Sequence, residues 1–164
     1  MRSVDLWLEE YGESHRNPVN KALHWLCVPP IVTTVLGLLW ALPIPAAFST
    51  LTPWLNWGTI VGALGLAYYV ALSPALALGF APVLLAMFAA IAWLDRLTWP
   101  LWQSCLAIFI VAWIGQFIGH AIEGRRPSFF KDLQFLMIGP LWLLAFLYRA
   151  LGLRYSPGVR FPSR

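Results

Sequence analysis

Three histidines, all that the chain contains, stand at the edges of apolar segments. His15 and His24 lie in "YGESHRNPVNKALHWLCVPP", residues 11–30, and His120 lies in "WIGQFIGHAIEGRRPSFF", residues 113–130. Neutral imidazoles are common ligands of divalent metals, and a set of three leaves coordination positions open for water, O₂ or substrate. The spacing therefore predicts a metal centre held by His15, His24 and His120, if the fold brings them together.

Residue spacing alone leaves three kinds of protein possible. Zinc bound by three imidazoles and one water would favour hydrolysis. Iron(II) has three further positions, so that a substrate could chelate it through two atoms while O₂ takes the third. In the third alternative the histidines are structural, and the chain is a transporter or a lipid-binding scaffold without enzymatic activity.

Polar residues accompany the first two histidines. Asn17-Pro18 is a typical cap and first turn of a helix. On a helix that begins there, Asn20 and His24 are four residues apart and share one face. His15 precedes the cap, so we expect it on a loop that can fold back over that face.

A second polar stripe surrounds His120. Gln116, His120 and Glu123 follow a spacing of four and then three residues, which places them on one face of a helix. Ionisable groups at membrane depth are costly and usually mark a functional site. A simpler interpretation of Glu123 is an ion pair with Arg125 or Arg126.

The composition is that of a membrane protein. Of the residues, 60% are hydrophobic and 11% are charged, with a mean hydropathy of +0.70, whereas a soluble domain carries about 25% charged residues. The net charge is +4, and the basic residues lie in short polar segments. This placement favours membrane lipids with anionic head groups over nucleic acid as partners. No linker divides the chain, so we expect one domain over 1–164. Cys27 and Cys105 fall in apolar stretches and are predicted to be core residues.

Apolar segments predict an all-α, polytopic membrane helical bundle. A span needs about 20 apolar residues, and the segment 133–151 is interrupted by Gly139-Pro140 and by Arg149. Residues 43–57 carry no charge and contain three prolines, so a loop is expected there. We predict about four transmembrane helices and an additional C-terminal hydrophobic helix. The four predicted spans are 22–42, 58–72, 75–94 and 101–122.

Basic residues orient the predicted bundle. Cytoplasmic loops carry an excess of Lys and Arg. A fifth full span would export the basic residues after position 151, so 133–151 is predicted to be tilted, re-entrant or surface-lying. We expect a multi-pass protein of a bacterial inner membrane, with the histidines on the cytoplasmic side. This rule predicts that six basic residues lie on the cytoplasmic side: Arg2, Arg16, Lys21, Arg125, Arg126 and Lys131.

Two sequence blocks resemble those of the Mpo1-like membrane proteins. The first is Tyr-x₃-His-x₄-Asn-x₃-His-x₄-Pro, and the second is Gly-His-x₂-Glu with a following proline. Together the blocks cover about a third of the chain and contain all three histidines. The matching residues are Tyr11, His15, Asn20, His24 and Pro29, then Gly119, His120, Glu123 and Pro127.

The resemblance implies a specific activity. It implies an iron(II)-dependent dioxygenase that converts a 2-hydroxy fatty acid and O₂ into CO₂ and a fatty acid one carbon shorter, with the three histidines as iron ligands. Glu123 is then a further candidate catalytic residue, which could also orient a histidine. The candidate substrate-binding residues are Asn20, Arg125, Arg126 and Lys131, of which the basic ones could attract the carboxylate.

Overall fold

A computed structural model describes residues 3–52, 54–124 and 129–156, without the side chains of residues 49 and 129–136. The described residues form seven α-helices. The predicted all-α class and the helical membrane bundle are confirmed. In chain order the helices are α1 Val4–Glu13, α2 Pro18–Trp40, α3 Ala46–Leu51, α4 Trp57–Leu72, α5 Pro74–Leu94, α6 Leu101–Glu123 and α7 Phe129–Ala150.

Three helices of the described chain, α2, α5 and α6, are long and apolar enough to cross a bilayer. The predicted span 58–72 corresponds to α4, which has only 16 residues. At 1.5 Å per residue such a helix extends over about 24 Å, less than the roughly 30 Å of a hydrocarbon core. Among the residues of α7 whose side chains are described, Met137–Ala150 form an apolar helical stretch.

Two helices differ from the sequence-based expectation. The prediction of a loop over 43–57 was wrong in part, because this segment contains the short helix α3. The polar N-terminus forms α1, which begins where the Ser3 side chain accepts a hydrogen bond from the amide of Leu6. Val4, Leu8 and Tyr11 give α1 a buried face, and this face packs on α7.

Helix α7 packs against the turn that connects α4 to α5. The Tyr69 hydroxyl of α4 donates a hydrogen bond to the Met137 carbonyl at 2.6 Å, and the Tyr148 hydroxyl donates to the Ala75 carbonyl of α5 at 2.9 Å. At this turn the buried Ser73 hydroxyl donates to the carbonyl of Tyr155, which follows α7. These bonds hold α7 and the segment after it against one end of the bundle.

Helices α2 and α6 form the closest pair. Small residues allow this approach, since a Cβ at Gly115 would lie 2.6 Å from Cys27 Sγ, and one at Gly37 would lie 2.5 Å from Cys105 Sγ. Both cysteines are buried and free, as the sequence predicts. The pair is antiparallel, so the first turns of α2 and the last turns of α6 meet at one end, which also holds α1 and α7.

Candidate metal centre

The three histidines meet at this end of the bundle. One nitrogen from each of His15, His24 and His120 can be chosen so that all three atoms lie within 4.8 Å of one another. The ring centroids of His15 and His24 are 4.2 Å apart, and the His120 centroid is 5.4 and 5.1 Å from them. His15 comes from the loop between α1 and α2, His24 from the second turn of α2, and His120 from the last turn of α6. The cluster could hold a metal ion.

Hydrogen bonds to backbone carbonyls fix the tautomers of two of the rings. His15 Nδ1 lies 2.5 Å from the Tyr11 carbonyl oxygen, and His24 Nδ1 lies 2.9 Å from the Asn20 carbonyl oxygen. A carbonyl oxygen can only accept, so each Nδ1 must carry the hydrogen. In the neutral rings each Nε2 then presents a lone pair, and the two Nε2 atoms face each other at 2.9 Å. Two opposed lone pairs repel, and a cation bound by both removes the repulsion.

Burial keeps the His15 ring uncharged. His15 and His24 are only 4% and 2% exposed, and His120 is half-buried. Removal of the His15 ring from water lowers its pKa from 6.5 to about 4, because burial disfavours the charged form. His15 is therefore neutral at pH 7, which is the state in which imidazole binds a metal.

Two aromatic side chains pack against His15. The Tyr11 ring stacks on it with centroids 4.1 Å apart and planes 10° apart. The Trp142 ring of α7 lies 5.4 Å from both. Tyr11 belongs to the first of the two sequence blocks that resemble the family, and it lies four residues before His15. No local pattern pointed to Trp142, which is 118 residues further along the chain than His24.

Glu123 joins the end of α6 to the loop that carries His15. One carboxylate oxygen accepts a hydrogen bond from the backbone amide of Arg16 at 2.9 Å. The other accepts from the amide of Asn17 at 2.9 Å and from Asn20 Nδ2 at 3.1 Å. The carboxylate thus caps backbone donors that would otherwise lack partners. The alternative partners Arg125 and Arg126 lie outside the described residues.

Asn20 and Gln116 are buried polar residues between α2 and α6. Asn20 is fully buried, and its Nδ2 also donates to the Ser14 carbonyl at 3.3 Å. Its Oδ1 has no hydrogen-bond partner among the described residues and lies against Gly119, where an added Cβ would clash with it. Gln116 lies one turn before His120, and its buried Nε2 likewise has no acceptor in the described part of the chain.

A cleft of about 790 Å³ opens beside the cluster between α1, the start of α2, and α7. His15, Arg16, Lys21 and Arg149 are among its lining residues. Arg16 and Lys21 indicated membrane orientation in the sequence, but no pattern assigned them to a site. Of the basic residues that were predicted to bind substrate, Arg125, Arg126 and the side chain of Lys131 lie outside the description.

Comparisons with known proteins show which family the chain belongs to. The family model described as "2-hydroxy-palmitic acid dioxygenase Mpo1-like" matches residues 1–151. A relative from Saccharomyces cerevisiae, "2-hydroxy-palmitic acid dioxygenase MPO1", is 27% identical over 142 residues, which cover 85% of this chain and 76% of the relative. No solved structure matches the chain. The family match covers both histidine-containing blocks and all the residues between them. Because it extends over most of the sequence, the chain belongs to the Mpo1-like family.

Proposed function

We propose that the chain is an iron(II)-dependent dioxygenase that shortens 2-hydroxy fatty acids by one carbon. The reaction is R–CHOH–COOH + O₂ → R–COOH + CO₂ + H₂O. The bond between C1 and C2 breaks, and the two carbons together lose the four electrons that reduce O₂. The observation that carries the proposal is the facing pair of Nε2 lone pairs of His15 and His24, with His120 beside them. The printed name of the yeast relative supports this reaction class.

Each part of the site then has a task. Bound iron(II) would supply the redox chemistry and the O₂ binding that the side chains cannot. The Nδ1 bonds of His15 and His24 keep their Nε2 atoms directed at the ion. Tyr11 and Trp142 pack on the His15 ring and exclude water from the parts of it that they cover.

The donor set fits a 2-hydroxy carboxylate. Three neutral imidazoles leave the charge of a divalent ion uncompensated, and a carboxylate supplies negative charge. Its 2-hydroxyl and one carboxylate oxygen can chelate the ion together. The Nε2 of Gln116, which has no acceptor among the described residues, is available to donate a hydrogen bond to an oxygen of the ligand. The acyl chain then lies among the apolar helices, and the histidine end faces the cytoplasm because Arg16 and Lys21 are there.

Within this proposal Glu123 is a positioning residue. Its two oxygens are taken by the amides of Arg16 and Asn17 and by Asn20. It therefore acts on the ligands through the backbone, since His15 immediately precedes Arg16, and Asn20 carries the carbonyl that orients His24. Asn20 shares this task, and its buried Oδ1 faces α6.

Oxygen uptake by anaerobically purified protein tests the proposal. The metal content is quantified first, and 2-hydroxypalmitate and palmitate are then compared as substrates with iron(II) or with zinc. We expect uptake of O₂ only with iron(II) and the hydroxylated acid, because zinc has no redox chemistry and palmitate lacks one chelating oxygen. Equal turnover of both acids, or activity with zinc under nitrogen, would overturn the proposal in favour of a zinc hydrolase.

A further inference from the structure

The cleft beside the metal centre has two chemically different ends. At one end His15 lies on the wall together with Arg16 and Lys21. At the other end Arg149 and Asp5 line it. Helix α1 and helix α7 run in opposite directions along its two sides. A ligand in the cleft would therefore have one end beside the histidines and the other near the last turn of α7.

The end next to the histidines carries two cationic side chains, those of Lys21 and Arg16. The nearby Glu123 carboxylate is occupied by hydrogen bonds to backbone amides and to Asn20. Lys21 is half-buried on the first turns of α2, three residues before His24. Among the described residues, no carboxylate forms an ion pair with the Lys21 ammonium. Arg16 uses its backbone amide to bind Glu123, and its exposed side chain lines the same part of the cleft.

At the far end of the cleft, the charged side chains of Arg149 and Asp5 contact neighbouring residues. The Arg149 Nε donates to the Ala145 carbonyl at 3.3 Å, and the guanidinium lies 6.0 Å from the centroid of the Tyr155 ring. Asp5 accepts a hydrogen bond from the Ser156 hydroxyl. These contacts leave the stronger attraction for an anion at the histidine end.

The wall between the two ends is apolar on the α7 side, and the α1 side combines Leu8 with the exposed acid Glu9. Leu8 of α1 and Trp142 are buried, while Phe146 is 49% exposed and meets the exposed Trp25 of α2 edge to face, with centroids 6.0 Å apart. Such a wall fits the first methylenes of an acyl chain. The exposed aromatic pair lies where that chain would pass into surrounding lipid.

We propose that this cleft is the entry site for an amphiphilic carboxylate, and that Lys21, assisted by Arg16, binds the carboxylate oxygen that is not used in chelation. The inference rests on the proposed function and extends it by naming the residue that selects an acid over an uncharged lipid. A carboxylate held at Lys21 has its 2-hydroxyl directed toward the histidines. The ammonium also draws the anion into the cleft.

Binding to metal-free, full-length protein in lipid nanodiscs tests the role of Lys21. The probes are 2-hydroxypalmitate and its methyl ester, which keeps the hydroxyl and the chain but has no negative charge. We expect Lys21→Met to weaken binding of the acid about tenfold, as for loss of a charge-assisted hydrogen bond, and to leave binding of the ester unchanged. Lys21→Arg should restore most of the affinity, which also shows that a change at this position is compatible with folding.

Arg149→Met is the matched control at the far end of the cleft, and it should change binding of the acid less than about twofold. Equal affinity of the wild type and Lys21→Met for the acid would overturn the inference, as would an equal loss for acid and ester. The experiment distinguishes failure of the entry site from failure of the proposed function. Lys21-dependent binding without O₂ uptake in the iron-loaded protein would refute the dioxygenase but not the entry site. O₂ uptake with Lys21-independent binding would refute the entry site but not the dioxygenase.

Discussion

The two ends of the helical bundle are held together in different ways. At the histidine end, Glu123 bonds to residues 107, 106 and 103 positions away, and buried polar side chains fill the contact between α2 and α6. At the opposite end, the hydrogen bonds of the described residues span at most 14 positions, from Trp57 to Pro43. Asn56 and Thr59 form a capping box at the start of α4, with distances of 3.0 and 3.1 Å. The polar contacts across more than 100 positions are thus found where the three proposed ligands meet.

Aromatic residues reinforce this contrast. Near the opposite end three tryptophans are exposed, with Trp54 at 58%, Trp93 at 61% and Trp99 at 67%, as expected for rings at a membrane interface. At the histidine end Tyr11 and Trp142 are 6% and 7% exposed and pack on a histidine. These two rings shield a polar cluster, whereas the three exposed rings are suited to contact lipid. Buried polar groups are costly unless satisfied; at the opposite end the buried Asn56 is satisfied by its local cap, whereas the buried polar side chains at the histidine end belong to the proposed site.

Removal of a histidine should have the largest effect. We expect His15→Ala, His24→Ala and His120→Ala each to abolish turnover and remove most bound metal, because each takes away one of three ligands. Metal content per chain and O₂ uptake with 2-hydroxypalmitate are the measurements. A variant that keeps full metal content and turnover would show that its histidine is not a ligand.

Loss of the Glu123 carboxylate should have the next largest effect. Glu123→Gln replaces one acceptor oxygen by an amide group that faces backbone donors, so the loop that carries His15 loses its anchor. We expect iron affinity to fall about 10- to 100-fold, as for residues that orient ligands, with partial rescue of turnover at saturating iron.

Asn56→Ala is the matched control for this change at the opposite end. It should cost about 1 kcal/mol of stability through the lost cap and leave iron affinity unchanged. Equal losses of iron affinity in the two variants would remove the distinction between the ends. A loss of turnover in Glu123→Gln that saturating iron cannot restore would instead indicate direct participation in the chemistry.

Two glycine substitutions give a smaller and more specific contrast. Gly119→Ala pushes a methyl group into Asn20, whereas Gly37→Ala pushes one into Cys105. Each overpacks the α2–α6 contact, at a cost of about 1–3 kcal/mol. Only Gly119→Ala should also lower iron affinity, by about tenfold, since it separates the turns that carry His24 and His120. Thermal unfolding and iron titration of both variants measure this difference, and equal iron affinities would contradict it.

The sequence predicts the parts of the fold that depend on local patterns. The long apolar run and the Asn17-Pro18 signal place α2, and the other spans follow from their apolar runs. The predicted segment 58–72 differs from α4, Trp57–Leu72, by one residue. Helices α1 and α3 were not expected, because α1 is stabilised by burial of one face on α7, a contact across more than 100 residues, and α3 is a short helix in a segment with three prolines.

The candidate site follows from sequence only as a set of residue types. The three histidines were identified because no others exist in the chain, and the resemblance to a family indicated their role. The partners of Glu123 could not be predicted, since they are backbone amides on a loop whose fold depends on α1. Trp142 was not assigned to the site because tertiary packing, and not spacing, brings it to His15, and Lys21 was assigned only to membrane orientation.

Isotope labelling tests the central claim, oxygen chemistry at the three-histidine centre, most directly. Iron-loaded protein is supplied with 2-hydroxypalmitate under ¹⁸O₂ in unlabelled water, and the shortened fatty acid is analysed by mass spectrometry, because CO₂ exchanges its oxygen with water. We predict that this product carries ¹⁸O derived from O₂ and that each His→Ala variant forms none of it. Formation of the product under nitrogen, or a product whose new oxygen comes only from water, would contradict the dioxygenase.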